Sequence, residues 1–194
     1  IMRNLNKEFD GALSLAIEIY TGKYPVQFLH QLVSSQLDTD RLDYLKRDSF
    51  FTGVTEGVIG SERIIKMLTV HNGNLAVEAK GIYSLEKFLI ARRLMYWQVY
   101  LHKTVVSAEY LLMKILLRAK ELIANGEELD ASDSLRFLLK NEEAFDVSDS
   151  DVWLKHFLKL DDFDVLYSMK QWIDSEDKLI SNMCKRLINR QLLK

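Results

Sequence analysis

Apolar residues recur every three or four positions along most of this chain, and helix is the element that spacing predicts. Leu5, Phe9, Leu13, Ala16, Ile17 and Tyr20 keep the period, so a first helix is predicted to end near residue 20, closed by Thr21-Gly22-Lys23-Tyr24-Pro25. Pro25 suits the first turn of a short helix carrying Phe28, Leu29, Leu32 and Val33. Asp38 then offers an N-cap for a charged helix that ends at Phe50-Phe51-Thr52-Gly53, and Ser61 an N-cap for Glu62 to Leu68. The helical period lapses where Leu68-Thr69-Val70 and Leu75-Ala76-Val77 flank His71-Asn72-Gly73-Asn74, a pattern that predicts a small hairpin. From Ser84 to Asn125 no proline or glycine intervenes while Leu85, Phe88, Leu89, Leu94, Trp97, Leu101, Val105, Ala108, Leu112, Ile115 and Leu116 hold the period. One long helix, or two in line, is expected there.

After Asn125-Gly126 the texture changes to short amphipathic pieces, 133–140, 150–160, 161–174 and 177–192, separated by acidic stretches. Ser148-Asp149-Ser150-Asp151 and Asp161-Asp162 read as N-caps and helix-dipole partners. The expected architecture is all-α with one small hairpin, arranged as a domain over residues 1–126 and a helical appendage over 127–194.

Composition narrows this picture. With 194 residues, 48% of them hydrophobic, the chain can bury one sizeable core or two small ones and reads as a soluble globular protein. The formal net charge of −2 provides no global positive field for nucleic acid or a membrane surface, so an anion site must be a local cluster. Cys184 is the single cysteine, which excludes an internal disulfide and a thiolate zinc site and fits a reducing, cytoplasmic setting. No signal-like start and no uncharged apolar run of membrane-spanning length supports secretion or membrane insertion. A Gly-rich phosphate loop, a Cys-x-x-Cys pair and a Gly-x-Ser-x-Gly elbow are all missing.

Two polar faces carry the candidate chemistry. The first lies in Ser34 to Ser49, where four acids, three bases and one tyrosine surround three leucines. At about 100° per residue, Asp40, Tyr44 and Asp48 share one side with Arg41 beside them, while Leu42 and Leu45 point toward a core. Carboxylates, a phenol and a guanidinium on one face suit a metal ion and a phosphorylated sugar. A plainer reading makes Asp38 to Arg41 a capped helix start and pairs Arg41 and Arg47 with neighbouring acids in water. The second face is a stripe of Arg92, Tyr96, Tyr100 and Lys103 at spacings of four, four and three. Arg92 can fork onto phosphate oxygens and Lys103 can supply a point charge, while both tyrosines can stack on or hydrogen-bond a base or sugar. Half-buried packing tyrosines with snorkelling cations are the alternative. Of His30, His71, His102 and His156, only His102 neighbours this stripe, and none is followed by Asp.

Gln36-Leu37-Asp38-Thr39-Asp40-Arg41-Leu42-Asp43-Tyr44-Leu45-Lys46-Arg47-Asp48-Ser49, followed by Phe51-Thr52-Gly53-Val54, resembles the C-terminal signature of HD-domain phosphohydrolases, in the branch related to deoxynucleoside triphosphate triphosphohydrolases. Ala91 to Lys103 is similar to the long helix lining the nucleotide pocket of that family, and the resemblance covers about residues 25 to 125. It implies that Asp40 is the last ligand of a His, His-Asp, Asp set holding a divalent metal, and that Arg41 replaces a phosphate-contacting lysine. It further implies that Tyr44 lines the sugar site, that Asp48 and Tyr100 bind the deoxyribose 3′-hydroxyl, and that Arg92 reaches the terminal phosphates. Tyr96 stands where some relatives carry a histidine near the base, and His102 and Lys103 align with residues of allosteric nucleotide sites in some relatives.

The upstream histidine and His-Asp doublet are absent, and Ile1-Met2-Arg3-Asn4 already falls within a predicted helix. The expectation is a portion of a longer metal-dependent enzyme that hydrolyses deoxynucleoside triphosphates to deoxynucleoside and triphosphate, inactive by itself and forming homo-oligomers as its relatives do. The alternatives are an HD phosphohydrolase acting on another nucleotide phosphoester and a noncatalytic helical interaction or regulatory module. Convergence of Asp40, Tyr44, Asp48, Arg92 and Tyr100 on one cleft is the observation that separates them.

Overall fold

The computed structural model describes residues 1–141 and 150–192, and its chain divides into two compact units, Ile1–His102 and Lys103–Lys194. Regular structure is helical apart from one two-stranded antiparallel sheet among the described residues, the all-α architecture with a hairpin that the periodicity predicts.

The first unit begins with α1 (Met2–Glu8) and α2 (Ser14–Tyr20), where the spacing predicted one helix. Asp10 and Gly11 both take positive φ, 49° and 86°, and the Asn6 side chain accepts from the Leu13 N–H at 2.7 Å. Such local side-chain bonding competes with the helical ladder and turns the chain. Helix α3 (Gln27–Val33) docks on the hairpin: Gly73 O accepts from the Phe28 N–H at 3.1 Å and Gln31 Oε1 from the Leu75 N–H at 2.7 Å. Strands β1 (Leu68–His71) and β2 (Asn74–Val77) pair with Leu68 opposite Val77 and His71 opposite Asn74. The positive φ of Asn72 and Gly73 is what a tight two-residue hairpin turn requires.

Helix α4 (Thr39–Thr52) is capped by Asp38, whose carboxylate accepts from the Arg41 N–H at 2.8 Å, and it ends at Gly53 in the left-handed conformation. Leu42 and Leu45 enter a core with Ile59, Ile64 and, from α6 (Ile82–Met95), Phe88, Ala91 and Met95. A 3₁₀ turn, Thr55–Gly57, packs against both α4 and α6. A Cβ at Gly57 would fall 2.7 Å from Ser49 Cβ and 2.9 Å from Met95 Sδ, so only glycine lets this turn sit so close to both helices. Helix α5 (Ser61–Lys66) takes Gly60 as its N-cap without a side-chain cap bond. Ser61, expected to cap it, is instead the first helical residue, and its hydroxyl is buried without a protein partner.

The uninterrupted period from Ser84 to Asn125 resolves into α6, a π turn at Tyr96–Tyr100, two non-helical residues and α7 (Lys103–Ala124). In the π turn the Leu101 N–H bonds Tyr96 O at 2.7 Å, five residues back. No glycine or proline announces this widening.

The second unit is built on α7 with α8 (Asp133–Lys140), α9 (Ser150–Phe157), α10 (Asp162–Trp172) and α11 (Lys178–Ile188). Ile115, Ala119 and Leu122 of α7 pack with Leu135, Leu139, Met169, Trp172, Ile180 and Cys184. The break in composition at residue 126 therefore differs from the compact units, which part at 102/103, because α7 buries its apolar stripe against α8 and α11. Asp161 caps α10 in a reciprocal capping box with Asp164, as the sequence predicts. The caps expected at Ser148 and Asp149 lie outside the described residues.

Candidate functional site

The two polar faces meet within the first unit. Tyr100 Oη donates to Asp48 Oδ2 at 2.7 Å across 52 residues of sequence. The Tyr100 ring lies edge-on to Tyr44, centroids 6.2 Å apart, and to Tyr96 at 5.1 Å. The Arg92 guanidinium stands over the Tyr96 ring at 5.7 Å, is within hydrogen-bonding reach of the Tyr44 hydroxyl, and donates from Nη1 to Gln36 Oε1 at 2.9 Å. Tyr44, Asp48, Arg92, Tyr96 and Tyr100 thus form one face between α4 and the end of α6. The buried leucines on the opposite side of α4 hold that helix in place.

Burial is the main cause raising the Tyr100 pKa above the usual phenol range, and the bond to Asp48 adds to it, so the phenol stays protonated and donates. Burial also raises the Tyr44 pKa, with Tyr96 adding to the shift and the positive charges of Arg92 and Arg41 opposing it. Arg92 has no carboxylate partner among the described residues; its contacts are an amide oxygen, a phenol and an aromatic face. This leaves its charge uncompensated, as an anion-binding residue requires.

Arg41 is used differently. Its Nη1 donates to Asp38 Oδ2 and to Ser35 O, while Nε is buried without a protein partner. The plainer local pairing is thus realised for Arg41 with Asp38, and Arg47 pairs in the same way with Asp43. Arg41 remains close enough to Tyr44 to lower its pKa, and so acts on the face as a fixed charge.

Asp40 is exposed in the first turn of α4, and Asp38, not Asp40, makes the cap. No group of three or more His, Cys, Asp or Glu able to hold a metal occurs among the described residues. A catalytic divalent ion commonly needs about three protein ligands. A lone carboxylate does not meet that need, so the residues present do not form a metal centre. Lys103 is exposed at the start of α7 and belongs to the second unit.

Sequence spacing missed two contributors. Gln36 reaches Arg92 across 56 residues, and the π turn carries Tyr96 and Tyr100. Neither has a local signal: an exposed glutamine is ordinary, and a π turn follows from hydrogen bonding, not from a breaker residue. Among the described residues no helix is long and apolar enough to cross a membrane.

Residues 59–146 match a family model described as the HD associated region. An uncharacterised protein of Bacillus subtilis, YwfO, is 35% identical over 175 residues, covering 90% of this chain and 39% of that protein. A Dictyostelium discoideum protein named as a deoxynucleoside triphosphate triphosphohydrolase SAMHD1 homolog is 26% identical over 106 residues, 53% of this chain and 20% of its own length. A crystal structure described as a phosphohydrolase from Bacteroides thetaiotaomicron superposes with a TM-score of 0.96 at 55% identity, covering all of this chain and 48% of the other. The chain therefore spans less than half the length of these relatives. The likenesses support kinship with the HD phosphohydrolases.

Proposed function

We propose, from this kinship with HD-family phosphohydrolases, that the α4–α6 face is the sugar and phosphate wall of a site for deoxynucleoside triphosphates. The observation that carries the reading is the Tyr100–Asp48 hydrogen bond beneath Tyr44, with uncompensated Arg92 alongside. In the whole enzyme the products would be a deoxynucleoside and triphosphate. Asp48 would accept from the deoxyribose 3′-hydroxyl, and Tyr100 would fix the carboxylate by donating to its other oxygen. Tyr44 and Tyr96 would flank the sugar and base. Arg92 would meet the terminal phosphates, with Arg41 as a second, fixed charge. Preorganised donors of this kind stabilise charge developing on a phosphoryl group.

Asp40 would contribute one ligand to a divalent metal whose remaining ligands come from outside this chain. Homo-oligomeric assembly and a cytoplasmic setting belong to the same proposal. In a longer protein carrying this chain, released triphosphate would be measured with the four deoxynucleotides and the four ribonucleotides. Preference for deoxynucleotides, lost in Asp48→Asn and Tyr100→Phe together, is expected. Equal turnover of a nucleotide monophosphate or of ribonucleotides would move the assignment to another phosphoester. Residues 1–194 alone should show no metal-dependent turnover.

A further inference from the structure

Gln36 sits in the link between α3 and α4, and its mounting is firmer than its exposed side chain suggests. On one side Ser35 is held twice, its N–H donating to Asp38 Oδ2 at 3.2 Å and its carbonyl accepting from Arg41. On the other side Leu37 packs on the first-unit core, and its N–H donates to Ser35 Oγ at 3.2 Å. The backbone around Gln36 is thereby pinned at both neighbours, and Arg41 acts as the clamp of this loop as well as a charge. From this mount the Gln36 amide oxygen meets Arg92 Nη1 at 2.9 Å.

We propose that Gln36 is the positioning residue for Arg92: a neutral acceptor that fixes the guanidinium between Tyr44 and Tyr96 while leaving its positive charge available to phosphate. The proposal rests on the phosphate-wall reading above and deepens it. The choice of an amide has a physical reason. A guanidinium offers five donors, and one amide oxygen occupies one of them. A carboxylate in the same place would bind more tightly, often through two parallel bonds, but it would neutralise the cation and compete with an incoming anion. An apolar side chain would leave Arg92 with only the Tyr44 hydroxyl and the Tyr96 face to limit a side chain rich in rotamers. Gln36 therefore meets both requirements, orientation and charge.

The test is a double-mutant cycle on the 194-residue chain, titrated with inorganic tripolyphosphate at low salt by calorimetry. Wild type should bind, and Arg92→Ala should remove most of the affinity. Gln36→Ala should weaken binding about three- to tenfold, the range expected for one hydrogen bond that orients a charge. Gln36→Glu should weaken it further, because its carboxylate neutralises Arg92 where alanine only releases it. In the Arg92→Ala background both Gln36 changes should have no effect, and thermal midpoints should stay at the parental values throughout. If Arg92→Ala loses binding but both Gln36 variants bind like wild type, the positioning role is overturned while the phosphate wall stands. Equal losses from Gln36 variants with and without Arg92 would overturn it too, because Gln36 would then act independently. Absence of tripolyphosphate binding by wild type, or unaltered binding by Arg92→Ala, would bring down the phosphate wall and this inference with it.

Discussion

Arg92 in α6 and Arg118 in α7 are both presented by long helices, one in each unit, but their donors are used differently. Arg118 is held by two carboxylates: Nη2 donates to Asp177 Oδ2 at 2.7 Å and Nη1 to Glu121 Oε2 at 2.9 Å. Arg92 meets an amide, a phenol and a ring. The contrast extends to their surroundings. In the second unit Trp172 Nε1 donates to Asp130 O at 2.8 Å, Ser168 Oγ to Asp164 O at 2.8 Å within α10, and Asp177 caps α11 by accepting from the Ile180 N–H at 2.8 Å, so polar groups are satisfied within helices, at caps or by a neighbouring segment. In the first unit the tyrosines, Asp48 and Arg92 are arranged beside one another on a partly open face, where burial shifts phenol pKa values and Arg92 has no carboxylate partner among the described residues. Polar groups that satisfy one another stabilise a fold. Polar groups that are oriented but incompletely satisfied mark a place for a ligand.

The largest expected effect strikes the unit whose side chains are committed to packing. Trp172 is 1% exposed in the second core, and Trp172→Ala should cost about 3–5 kcal/mol by loss of contacts and cavity formation. Urea unfolding followed by circular dichroism would measure it, and a loss below about 1 kcal/mol would contradict a close-packed core. A smaller effect is expected from Gly57→Ala, whose new methyl would collide with Ser49 and Met95 and force α4 from α6. The cost should be about 1–3 kcal/mol, accompanied by weaker tripolyphosphate binding because the two polar faces separate. Normal binding in this variant would show that the face tolerates displacement of its helices.

The smallest effect is a pH dependence confined to the second unit. Hydrogen bonds from Arg118, and next from the Ile180 N–H, hold the Asp177 pKa below the usual carboxylate range. A carboxyl group with a depressed folded pKa contributes stability that is present above its unfolded pKa, near 4, and fades as pH falls through the folded value. Asp177→Asn should therefore lower the thermal midpoint at neutral pH by an amount that shrinks below about pH 4, where the wild type also loses its carboxylate. A constant difference across that range would mean that the charge on Asp177 does not stabilise the fold.

Much of the local structure was legible because it follows from periodicity and caps. Asp38, Gly53 and Asp161 mark helix ends as expected, and Asn72-Gly73 forms the hairpin turn. Alignment of Tyr44 with Asp48, and of Arg92 with Tyr96, also follows from helical spacing. What spacing does not contain is a partner far along the chain, such as Gln36 for Arg92, or an exception to the period, such as the π turn. Ser61 failed as a cap for a related reason: a serine near a helix start has two adjacent positions available, and tertiary packing selects between them. The compact units parted at 102/103 because burial of α7, not composition, unites residues into a core.

The π turn at Tyr96–Tyr100 also alters angular phase. In an unbroken α-helix, eight residues at about 100° each would leave Tyr100 turned some 80° from Arg92. A wider turn with i to i+5 bonding advances less per residue, about 80°, and brings Tyr100 to within roughly 10° of Arg92. Three side chains spanning two helical turns can then face α4 together, giving a flat ligand wall longer than a straight helix would present. A change that returned this turn to regular α-helical bonding at the same length would keep every chemical group of the face but put Tyr100 about 80° out of phase with Arg92.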